Sequence, residues 1–169
     1  MFKYLPYVLF LILIMQGCKK PQTYSEVPAI SFSNFLTNDT TDLLGNPIMK
    51  GKLSFYLIDG NGDIGLNDYD TTAPWNAGTE YYNNLYLEFF TSHNGVFVSD
   101  TLGDAAYRVP YVEPQGQNKT LKCTINIDID FIYNEQNELL YDSIMYRFYI
   151  YDRALNKSNL ESTGLIILP

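Results

Sequence analysis

Apolar and polar residues alternate along most of this chain with a period of two. Residues 52–58 place Leu53, Phe55 and Leu57 on one face, and residues 84–91 do the same with Leu85, Leu87 and Phe89. Residues 143–151 set Ile144, Tyr146, Phe148 and Ile150 against Met145, Arg147, Tyr149 and Tyr151. Successive side chains leave a pleated backbone on opposite sides, so this alternation predicts strands with one buried face. Shorter or rougher stretches at 30–35, 96–99, 106–112, 120–133 and 163–168 read the same way. Asn94-Gly95 lies between two such runs and predicts a tight hairpin. From Ala29 onward no helical period emerges.

Seven to eight strands separated by turn signals predict an all-β fold, an antiparallel Ig-like β-sandwich. A small closed barrel is the competing architecture. Strand propensity accounts for much of the high content of 15 tyrosines. The segment 67–82 is too long for a plain turn and carries the single tryptophan, Trp75. Elaborated loops of this kind are where binding tends to sit.

The start of the chain follows a different pattern. Lys3 precedes an apolar run at 5–15, and Gly17-Cys18 follows directly. The run is well short of the roughly 20 residues that span a bilayer, and it suits the core of a signal peptide. The Gly-Cys junction resembles the lipobox of bacterial lipoproteins, although Met15 and Gln16 depart from the strict pattern. That resemblance implies cleavage before Cys18 and diacylation of that cysteine, which becomes the new N-terminus, with palmitate among the candidate chains. Several acyl chains anchor firmly, since each buried methylene adds about 0.8 kcal/mol. The expected organisation is a signal peptide at 1–17, a lipidated tether at 18–28 and one domain at 29–169. Basic Lys19-Lys20 directly after the cysteine favours the periplasmic face of the outer membrane.

A formal charge of −8, with no Lys/Arg stripe, argues against nucleic acid as a partner. The membrane contact is then the lipid, and the remaining partners are an envelope protein or a glycan. Of the two cysteines, lipidation of Cys18 leaves Cys123 without a mate. Cys123 lies in the apolar phase of 121–131, which predicts an inert thiol in the core.

Two motifs carry a further resemblance. Phe148-Tyr-Ile-Tyr-Asp152-Arg-Ala-Leu-Asn156-Lys-Ser158 is similar to the last hairpin of bacterial Ig-like and fibronectin-like domains, with Leu155 where that family often has glycine. Asp59-Gly-Asn-Gly-Asp63-Ile-Gly65-Leu resembles the D-G-D-G-D-I-G-L stretch of small Gram-negative lipoproteins. Both support the fold and the envelope location, and neither implies catalysis.

Asp59, Asn61 and Asp63 alternate with Gly60 and Gly62, the spacing that lets a tight loop wrap oxygen ligands around Ca²⁺. Asp68 and Asp70 are further candidates along the chain. The pattern partly echoes an EF-hand loop, but Ile64 takes the position of the invariant glycine and a strand leads in, so it is not one. Asp-Gly-Asn-Gly is equally a turn sequence in which Asp and Asn cap their own backbone. Topology bears on the choice. In an Ig-like sandwich the strands ending at Ile58 and Tyr151 run the same way, which would bring Asp152 and Asn156 towards Asp59 and Asp63.

Catalysis has little to build on. The one histidine, His93, sits at the expected hairpin tip, and neither a nucleophile elbow nor zinc-type pairs occur. Asp128 and Asp130 could serve a carboxylate-based glycosidase, but they share what reads as a solvated strand face. The default expectation is a non-enzymatic structural or protein-interaction module. The alternative is an accessory glycan-binding lipoprotein using Trp75, Tyr149 and Tyr151. Asp39-Thr40-Thr41, Asp70-Thr71-Thr72, Asp100-Thr101-Leu102 and Asp142-Ser143-Ile144 also resemble the acceptor of a bacterial O-glycosylation system, and Asp-Thr is common at strand ends in any case.

Overall fold

The computed structural model describes residues 22–168 apart from 94, 116 and 137. The signal peptide expected at 1–17, Cys18 and the first residues of the expected tether lie outside the described residues. Nine strands form two antiparallel sheets: β1 (Ala29–Thr41), β2 (Pro47–Asp59), β3 (Leu85–His93), β4 (Val96–Ser99), β5 (Ala105–Tyr107), β6 (Leu121–Ile132), β7 (Ser143–Ile150), β8 (Glu161–Ser162) and β9 (Ile166–Ile167). One sheet runs β1-β2-β6 and the other β4-β3-β7-β8, with β5 also on β3 and β9 also on β7.

The nine segments occupy seven rungs. β4 and β5 share one edge of β3, pairing with 90–93 and 85–87 respectively, and β8 and β9 share one edge of β7. With the first, second and fifth rungs in one sheet and the third, fourth, sixth and seventh in the other, the arrangement follows that of an Ig-like sandwich. Seven to eight predicted strands become nine because two rungs are interrupted. A 3₁₀ turn at Thr101–Gly103 separates β4 from β5, and the Phe89 N–H, lost to the ladder there, donates to the Asp104 carboxylate at 2.7 Å. Gly164, at φ +66°, lies between β8 and β9.

The core is where the alternation put it. Leu53, Phe55 and Leu57 of β2, Leu85, Leu87 and Phe89 of β3, and Ile144, Tyr146, Phe148 and Ile150 of β7 are all buried. Phe55 meets Phe148 across the two sheets with ring centroids 5.0 Å apart. Each such side chain contributes roughly 1.5–3 kcal/mol by leaving water. Cys123 is half-buried against this core, and burial raises its thiol pKa. Asp128 and Asp130 lie on the exposed face of β6, where Asp130 pairs with Lys50 at 3.7 Å.

Three boundaries differ markedly from the sequence reading: the end of β1, the start of β2 and the end of β5. β1 continues to Thr41 and β2 begins at Pro47, as one long hairpin through Asp42–Asn46. Residues 36–41 are exposed throughout, so this edge strand carries no alternation to read. The strand expected at 106–112 stops at Tyr107, because the chain beyond it is captured by Leu66. The Leu66 N–H donates to the Val109 carbonyl at 2.9 Å, and the Tyr111 N–H to the Leu66 carbonyl at 3.3 Å. Among the described residues no helix is long and apolar enough to cross a membrane.

Candidate metal centre

The inward phase of β2 runs Leu53, Phe55, Leu57 and then Asp59, and that of β7 runs Ile144, Tyr146, Phe148, Ile150 and then Asp152. Both central strands therefore end their apolar face on a carboxylate. Asp59 is 0% exposed and Asp152 2%. The two strands belong to different sheets and run in the same direction, so both acids emerge at one end of the sandwich. Ile64 pairs with Asp152 in an isolated antiparallel bridge, and the Arg153 N–H donates to the Asp63 carbonyl at 3.1 Å. These two contacts hold the 59–63 loop against the 152–156 turn.

Asp59, Asp63 and Asp152 each offer an oxygen within 4.8 Å of the others. Two ligands on opposite sides of Ca²⁺, at about 2.4 Å each, would be about 4.8 Å apart. Asp59 Oδ2 accepts the Asp63 N–H at 2.9 Å, whereas Asp59 Oδ1, Asp63 Oδ1 and Asn61 Oδ1 are buried and accept no hydrogen bond from the protein. Buried carboxylate oxygens are expensive without a partner. Burial, and then the neighbouring Asp63 and Asp152 charges, push the Asp59 carboxyl up to about 6. Burial and the Asp152 charge raise Asp63 as well. Every donor here is oxygen, the chemistry that suits a hard cation such as Ca²⁺.

Asn156 has a different part from the one its position suggested. Its backbone N–H donates to Asp152 Oδ1 at 2.7 Å and its side-chain amide to Asp152 Oδ2 at 2.8 Å, so it orients Asp152 rather than offering an oxygen itself. The same turn occurs at Asp42–Asn46, where Asn46 donates to both Asp42 oxygens and holds that exposed carboxyl below its ordinary range. A related cap recurs at Asn134, whose side chain accepts the Glu138 N–H at 2.9 Å. What distinguishes Asp152 is its burial beside two other acids.

Asp68 is exposed and does not join the group. Asp70 is taken by Arg153, whose guanidinium grips it at 2.5 and 3.1 Å and lowers its carboxyl to about 2. The Arg153 guanidinium also lies 5.0 Å from the Trp75 ring centroid and 5.3 Å from that of Tyr111. Trp75 thus packs over a cation inside the long loop. Tyr149 and Tyr151 belong to a separate cluster: Tyr86 stacks on Tyr149 at 5.4 Å, Lys157 lies 3.4 Å over the Tyr149 ring, and Tyr81 meets Tyr151 edge-on at 5.2 Å.

The residues that sequence reasoning missed are those seating the loop. The Gly60 N–H donates to the Ser25 carbonyl at 2.8 Å, and Thr120 Oγ1 donates to the Gly60 carbonyl at 3.3 Å. Gly62 adopts φ +69° and lies against the Lys119 carbonyl, where a side chain would not fit. Backbone contacts of this kind leave no pattern in sequence, except that both positions are glycine.

Compared with protein-family models, with curated proteins and with solved structures, the chain matches none. Fold and site together define an all-β sandwich with an all-oxygen acidic centre between its two sheets at one end.

Proposed function

We propose that the protein is a lipid-tethered, non-enzymatic module of the bacterial cell envelope, structural or protein-binding, whose loops at the tether end are stabilised by Ca²⁺. The observation that carries the cation is the group Asp59, Asp63 and Asp152, with a fully buried carboxylate oxygen of Asp59 left without a hydrogen bond. Three converging carboxylates repel and resist desolvation, a cost that a bound cation relieves without protonating any of them. The tethered location is supported by the apolar run, Gly17 and Cys18 in sequence.

Ca²⁺ bound to the native state alone stabilises it by about 2.7 kcal/mol at a hundred times the dissociation constant. Metal-free protein should therefore melt several degrees higher in millimolar Ca²⁺ than in EDTA. An unchanged melting curve would remove the cation from this reading. Palmitate incorporation in a bacterial host, lost on Cys18→Ser, tests the tether; equal incorporation in both would refute lipidation at that residue.

A further inference from the structure

The 59–63 loop also forms the seat on which the segment leading into the domain rests. The Gly60 N–H donates to the Ser25 carbonyl at 2.8 Å. A Cβ added to Gly60 would lie 2.5 Å from both the Tyr24 and the Ser25 carbonyl oxygens, so the two backbones are in direct apposition. Lys122 lies 3.8 Å over the Tyr24 ring and contacts its hydroxyl. Further along, Pro28 is buried, and Asn159 brackets Ile30 with hydrogen bonds to its N–H at 2.8 Å and its carbonyl at 2.9 Å. The segment is therefore fastened at two points: at Pro28–Ile30 by the sandwich itself, and at Tyr24–Ser25 by the acidic loop together with Lys122 of β6.

We propose that cation occupancy of the Asp59–Asp63–Asp152 centre controls the second fastening, so that Ca²⁺ sets where the N-terminal segment leaves the domain. This rests on the cation reading above. A cation pulls Asp59, Asn61 and Asp63 onto one point and fixes the Gly60 N–H that lies between them. Without it the carboxylates repel, the loop relaxes, and the Gly60–Ser25 hydrogen bond lets go while Pro28–Ile30 stays docked, leaving the exposed Lys122–Tyr24 contact to hold that end unaided. Each residue released before Pro28 adds up to about 3.5 Å of reach. Calcium thus holds the domain close to whatever anchors its N-terminus, and calcium loss lengthens and loosens that connection.

Hydrogen exchange on the full chain in detergent, with Ca²⁺ or EGTA at matched ionic strength, tests this alongside melting of the same samples. NMR follows the Gly60 amide and mass spectrometry the 22–28 segment. Ca²⁺ should slow exchange at both by about tenfold or more, as a local opening becomes costlier. Asp63→Asn should lose that protection. A melting temperature raised by Ca²⁺ with exchange of 22–28 unchanged would overturn the tether proposal and leave the cation site standing. No change in either measurement would overturn the cation site itself, and the tether proposal with it.

Discussion

Ile64 pairs with Asp152 in an isolated antiparallel bridge, joining the loop that leaves β2 to the turn that leaves β7. With the Arg153 N–H on the Asp63 carbonyl, this bridge links the two sheets at the end where their apolar layers run out. Asp59 and Asp152 occupy the next inward positions after Leu57 and Ile150, so the bridge closes the sandwich over carboxylates rather than over hydrocarbon.

Asp59→Asn should separate stability from cation binding. In EDTA the variant removes one buried charge while its amide can donate to the Asp63 or Asp152 oxygens, and it should be more stable by about 1 kcal/mol, or about 2–4 °C in melting temperature. In Ca²⁺ it should show no further rise, whereas the native protein should. A variant that melts lower than the native protein in EDTA, or still responds to Ca²⁺, contradicts the assignment.

Leu155 adopts φ +66° at the position where the equivalent turn, Asp42–Asn46, has Gly45 at φ +85°. The left-handed region costs an L-residue about 1–2 kcal/mol, which glycine avoids. Leu155→Gly should accordingly stabilise the protein by about 1 kcal/mol in urea unfolding, and Gly45→Ala should destabilise it by a similar amount. Opposite signs at the two turns are the expected result, and a Leu155→Gly variant less stable than the native protein would show that packing of the leucine outweighs its backbone strain.

The Asp70–Arg153 pair should shape the acid limb of stability. Arg153 lowers the Asp70 carboxyl from an ordinary 3.8 to about 2, so between those values the unfolded chain binds more protons than the native one. The stabilisation is complete above pH 4 and lost as pH falls through about 2. Asp70→Asn should cost about 2 kcal/mol at neutral pH, typical of a hydrogen bond to a charged group, and the difference from the native protein should close by pH 2. Denaturant titrations at pH 7, 4 and 2 read this directly. A gap that persists unchanged at pH 2 would mean that the lost interaction is not the ionised pair.

Gly51, buried in the middle of β2, leaves no room for a side chain unless its neighbours shift. Its two neighbours in the sheet project Phe35 and Phe131 diagonally over it, and an added Cβ would fall 2.5 Å from the first ring and 2.8 Å from the second. Gly51→Ala should destabilise by roughly 1–3 kcal/mol through overpacking, despite the better strand propensity of alanine. Pairing it with Phe35→Leu should recover part of that loss. Strictly additive losses would show that the ring is not the obstacle.

How much of this could be read from the chain alone varies with the physics behind each feature. The inward faces of β2, β3 and β7 were legible because burial on one side of a pleat imposes period two on the residues themselves. Residues 36–41 were not, since an edge strand exposed on both faces is under no such constraint. Convergence of Asp59, Asp63 and Asp152 was an expectation drawn from the direction of two strands in an Ig-like sandwich. A sharper signal was also present: Asp59 and Asp152 each continue an apolar phase, which is an unusual place for an acid. Asn156 and Asp68 show the opposite limit. Residue type and spacing made both candidate ligands, yet hydrogen bonding turned Asn156 towards Asp152 and the backbone left Asp68 in water.

By itself, then, the sequence determined that the chain forms strands, which faces they bury and which residues make its turns, because these follow from local pleat geometry and backbone preference. Only the tertiary structure decided that Arg153 claims Asp70, that β4 and β5 share one rung, and that Ser25 rests on Gly60. Those outcomes depend on which groups come into contact from positions 18 to 83 residues apart in the chain, and a backbone N–H or carbonyl is the same group in every residue that has one.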